Sequence, residues 1–83
     1  MKKVLVEVML PAADRQFDVF MPLECSIRDI TRMLEAALTE LSAGKFEAAN
    51  SSFLCDAETG KILSFDNMAW ELGIQNGSRL ILI

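Results

Sequence analysis

Val4, Val6 and Val8 alternate with Leu5, Glu7 and Met9 near the start of the chain. A period of two in β-branched residues predicts a strand with one buried face. Pro11-Ala-Ala-Asp14 predicts a turn. Phe17, Val19 and Met21 then alternate with Gln16, Asp18 and Phe20 as a second strand, ended by Pro22. Two strands joined by a short turn form an antiparallel hairpin. The period then changes. Ser26 is a good helix N-cap, and Asp29 favours the positive end of the helix. Ile27, Ile30, Leu34, Ala37, Leu38 and Leu41 recur at helical spacing and predict one core-facing stripe. Gly44 is a plausible stop, and 46–52 reads as either a further helical turn or a loop.

The second half is shorter-grained. Phe53, Leu54 and Cys55 predict a third strand, with Leu54 outward and Cys55 inward. Asp56 to Gly60 is a turn, and Lys61, Ile62 and Leu63 predict a fourth strand. Phe65, Met68, Trp70 and Leu72 suit a helical turn laid on the core, with Trp70 bringing the largest apolar area. Asn76-Gly77 is the last turn, and Ser78–Ile83 the fifth strand. One helix packed on one face of a mixed sheet is an economical way to bury a core of this size.

Composition narrows the class. The 83 residues have room for a single core, so 1–83 is read as one domain. A 52% hydrophobic content with 24% charged residues is globular. The net charge of −4 and the scattered basic residues argue against nucleic acid. Cys25 and Cys55 are too few for a disulfide framework and read as reduced thiols. The basic and apolar start superficially resembles a secretory signal, but Glu7 interrupts the apolar run. No run approaches the roughly 20 apolar residues of a membrane span. The expected location is the cytoplasm.

The order of elements, with CSIRDITRML at the helix start and above all WELGIQNGSRLILI, resembles a ubiquitin-like β-grasp protein. That resemblance implies an α+β fold with a mixed five-stranded sheet in the order 2-1-5-3-4 and one main helix across one face. It also implies that Leu72 and Ile74 are anchors, that Leu80 and Leu82 point at the helix, and that Ile81 and Ile83 point away. Among such families the chain is most similar in style to the small bacterial YukD/EsaB-like proteins that accompany type VII (WXG100, ESX-like) secretion systems. The likeness lies in size, a somewhat long helix, and a turn before a final aliphatic strand.

Candidate chemistry is sparse. With no histidine in the chain, neither cysteine has the usual catalytic base. Cys25 sits before the helix N-terminus, where a thiol pKa can fall, but a small residue at a strand-to-helix junction explains it too. Asp14, Asp18, Asp56 and Asp66 are scattered over turns and strands, so no metal and no cofactor is expected. The four glycines are spaced as turn residues and form no phosphate loop. The sequence has no Gly-Gly and ends at Ile83 within the last strand, so conjugation or sulfur carriage is not expected.

The remaining expectation is a non-enzymatic interaction module. Its site is an apolar patch of Leu5, Phe20, Leu54, Ile81 and Ile83 on the sheet face opposite the helix, rimmed by Glu7, Asp18 and Arg79. By the resemblance, Ile83 and Leu54 fall at or near the positions through which ubiquitin-like proteins bind partners. The expected partner is a secretion ATPase or membrane component. The alternative is a self-associating homodimeric module of an unrelated pathway.

Overall fold

The computed structural model describes residues 2–41 and 52–83. Strand β1 (Lys3–Leu10) and strand β2 (Arg15–Pro22) form an antiparallel hairpin whose register runs unbroken from Lys3–Pro22 to Leu10–Arg15. A short 3-10 turn, Pro11–Ala13, reverses the chain and ends on Asp14 in the left-handed region at φ 51°. An aspartate tolerates that conformation better than most residues.

Helix α1 (Ile27–Leu41) follows. The Ser26 hydroxyl accepts the N–H of Asp29 at 3.1 Å, closing the first turn as the sequence implies. Ile27, Ile30, Leu34 and Leu38 are buried against the sheet. Ala37 is not: it is exposed at the border of the stripe. Thr31 takes a core place instead, and its hydroxyl donates to the Ile27 carbonyl at 2.7 Å. Spending the hydroxyl on the helix's own backbone lets a polar side chain sit among aliphatics. The Leu41 side chain, Gly44 and 46–51 lie outside the described residues.

Among the described residues the sheet has four strands, not the expected five, in the order β2-β1-β4-β3. Strand β3 is Leu54–Asp56 and strand β4 is Arg79–Leu82. Strand β4 lies centrally, parallel to β1 and antiparallel to β3. The 61–63 segment runs beside β3, but it forms only an isolated Cys55–Ile62 bridge. Asp56 and Lys61, and Leu63 and Leu54, still share single backbone hydrogen bonds. The turn between them closes through Gly60 N–H to the Asp56 carbonyl at 2.8 Å. The pairing of the two segments ends at the Asp56–Lys61 and Leu63–Leu54 bonds, so no continuous ladder forms.

Two burial expectations fail. Leu54 is fully buried in the core rather than exposed on the outer face. Its register partner is the core residue Leu82, and cross-strand partners share a face. Cys55, opposite Ile81, therefore takes the outward register position, where it is nonetheless buried. Trp70 is 61% exposed. It lies in the 3-10 turn Ala69–Leu72, where residues three apart eclipse one another. Ala69, fully buried, and Leu72, half-buried, take the inward side, so Trp70 projects outward.

Candidate interaction face

The sheet face opposite the helix is assembled by register. Leu5 stands opposite Phe20, Glu7 opposite Asp18, and Met9 opposite Gln16. On the other side of β1, Glu7 aligns with Arg79 and Met9 with Ile81, which in turn faces Cys55. Val4, Val6, Val8 and Leu10 fill the helix side, so the alternate residues of β1 must face away from it.

Three parallel rows result. Phe20 and Leu5, 71% and 41% exposed, form the first. Asp18, Glu7 and Arg79 form the second. Met9, 38% exposed, and half-buried Ile81 form the third, with Ile83, 57% exposed, beyond Ile81 along β4. The charged residues therefore do not rim one patch; they divide it in two. Arg79 Nε lies 3.1 Å from Glu7 Oε2, and the Gln16 amide donates to the other oxygen of Glu7. Glu7 is thus tied to Arg79 within its row and to Gln16 beside the third, while Asp18 has no ion pair among the described residues.

Of the sequence-derived residues, Leu5 and Phe20 come together on one side of this row and Ile81 and Ile83 on the other. Leu54 joins neither. Met9 was missed. It has the same alternation as Leu5, and that periodicity alone was enough to find it.

The turn after the second 3-10 segment supports the first row. Gly77 has φ 87°, a left-handed conformation that disfavours any side chain. Leu5 donates its N–H to Asn76 Oδ1 at 2.8 Å and accepts from the Gly77 N–H at 2.9 Å. A shallow hollow lined by Leu5, Glu7, Asp18, Asn76, Gly77 and Arg79 lies there.

At the C-terminal end of β4, Ile83 and Phe53 exchange both backbone hydrogen bonds. Phe53 stacks on Phe65 with ring centroids 5.5 Å apart, and Arg28 of α1 lies over Phe65 at 5.1 Å. Burial pushes the Cys55 thiol up from its ordinary value. Among the described residues no three His, Cys, Asp or Glu side chains converge as metal ligands, and no helix is long and apolar enough to cross a membrane.

A ubiquitin-like domain of the Mycobacterium tuberculosis type VII secretion protein EccD1 superposes with a TM-score of 0.78 at 20% identity, covering 100% of this chain and 99% of that one. The chain has the ubiquitin-like β-grasp fold. The EccD5 ubiquitin-like domain of Mycobacterium xenopi is similar at 0.74, with 24% identity and coverage of 100% and 94%. A chain of an ESX-5 inner membrane complex matches at 0.74 and 21% identity; this chain spans about a fifth of its length, 21%. No family model matches the sequence, and no curated protein matches it significantly.

Proposed function

We propose that this chain is a non-enzymatic ubiquitin-like interaction module, an accessory or regulatory component of a bacterial type VII secretion system. It acts in the cytoplasm by docking a membrane component or ATPase of that system on its outer sheet face. The observation that carries the reading is the face itself. Five apolar residues, Leu5, Phe20, Met9, Ile81 and Ile83, flank a charged row fixed by the Glu7–Arg79 pair. Apolar groups grouped in this way, with polar groups that set orientation, are the usual makings of a protein interface. The secretory setting is supported by the shared fold of the two EccD ubiquitin-like domains and the ESX-5 chain.

The test is affinity capture from the native cell with the wild type and with Met9→Gln/Ile83→Asn, identifying the recovered proteins by mass. The expected result is a secretion-complex component held by the wild type and lost by the variant. Recovery unchanged by the variant, or none of that machinery with either protein, counts against the reading. A sedimentation run distinguishes the self-associating alternative: a dimer abolished by the same variant would replace the adaptor reading.

A further inference from the structure

The two edges of the sheet are not alike. The β3 edge is three residues long and partly covered by the bridge to Ile62. The β2 edge is eight residues long, with no bulge in its register. Which of its backbone groups are open follows from the ladder. Leu23 donates its N–H to the Lys2 carbonyl at 2.9 Å, so Lys2 and Leu23 are a hydrogen-bonded pair. Bonded and non-bonded pairs alternate in an antiparallel ladder. Val4–Met21, Val6–Val19 and Val8–Phe17 are then bonded, while Leu5–Phe20, Glu7–Asp18 and Met9–Gln16 are not. The β1 side agrees, since Leu5 and Glu7 turn their N–H groups to Asn76 and Ser78, on the side of β4. The N–H and C=O groups of Gln16, Asp18 and Phe20 therefore point away from the sheet.

We propose that this rim is a docking site for an extended segment of a protein partner, which adds as a further strand and sets a lysine or arginine against Asp18. Open rungs in line call for another backbone. The side chains beside them are apolar on the helix side, where Phe17 and Val19 are half-buried, and mixed on the other, where exposed Phe20 stands in line with Asp18 and Gln16. The charge is specific. Glu7 is paired with Arg79, while Asp18 beside it has no ion pair among the described residues.

A second copy of this chain is a poorer occupant. Symmetric pairing that uses all three rungs sets Asp18 against Asp18, and like charges directly opposite are destabilising. Shifting the register one way brings in Pro22, which has no N–H. Shifting it the other way brings in Asp14, whose backbone is left-handed rather than extended. The proposal is independent of the sheet-face reading, and Ile83→Asn leaves it standing.

The experiment follows hydrogen exchange at the amides of Gln16, Asp18 and Phe20. The probes are an octapeptide of alternating Thr and Val with a central Lys, its Glu counterpart, and the Lys peptide N-methylated at every residue, which blocks both of its edges. At about 1 mM, the Lys peptide is expected to slow the three amides by at least about tenfold, because a formed rung must open before exchange. The Glu peptide should do less, Asp18→Lys should reverse the preference, and the N-methylated peptide should do nothing. Three results would overturn the proposal: no slowing by the Lys peptide, equal slowing by the methylated one, or slowing that grows with protein concentration alone.

Discussion

Asp18 faces Glu7 across a pair without backbone hydrogen bonds, where opposing side chains come closest. Arg79 and Gln16 relieve Glu7 but do not reach Asp18. Replacing Asp18 by Asn removes a like-charge neighbour and is expected to stabilise the fold by about 0.5 kcal/mol, read from urea midpoints at low salt. A loss of stability would mean that Asp18 is paired in solution. Cys55 makes a second prediction. Its thiol holds its proton more tightly in the folded chain than in the unfolded one. That stabilisation is intact below the unfolded pKa of about 8.5 and is lost as pH rises from there through the higher folded value. Wild type should therefore lose stability more steeply than Cys55→Ala above about pH 8.5. Parallel curves would contradict this.

At the scale of elements, the 3-10 turn Ala69–Leu72 shows how a short segment defeats residue type. Trp70 looks like a core residue by size, yet the eclipsing of residues three apart gives the inward place to Ala69. The turn is pinned by Ala69 N–H to Cys25, Trp70 N–H to Leu23 and Met68 N–H to Glu71. Trp70→Ala should accordingly cost less than about 1 kcal/mol. Ala69→Leu should cost about 1–3 kcal/mol by overpacking. Equilibrium unfolding checks both, and the reverse ranking would refute the placement. The long regular elements were legible because their periods persist: β1, β2 and α1 each repeat their pattern several times. The short ones were not. Three residues of β3 cannot declare a face, and Leu54 is placed only by its partner Leu82. The 61–63 segment has strand-like residues but makes only an isolated bridge and two backbone hydrogen bonds to β3, so it does not become a strand.

The molecule as a whole depends on β4 lying between β1 and β3. Leu80 and Leu82 meet the helix and valine side chains there, and Leu54 completes the layer. Leu82→Ala and Leu54→Ala should each cost about 2–5 kcal/mol. Being cross-strand neighbours, they should not add simply when combined. Phe20→Ser, by contrast, should leave stability nearly unchanged, because that side chain is exposed. The core and the candidate face are therefore separable by mutation. Alternation pointed to the outward positions of Leu5 and Phe20, and the ubiquitin-like resemblance to those of Ile81 and Ile83, but neither showed the charged row between them. Alternation tells which side a residue faces, while the row depends on how β1, β2 and β4 are aligned with one another. The central claim, that the outer face is where this domain is held, is tested most directly by a photo-crosslinking residue placed in the cell. At Met9 on the outer face it should capture a type VII secretion component, and at Ala37 on the exposed side of α1 it should not. Capture of that component from Ala37 and not from Met9 would contradict the account.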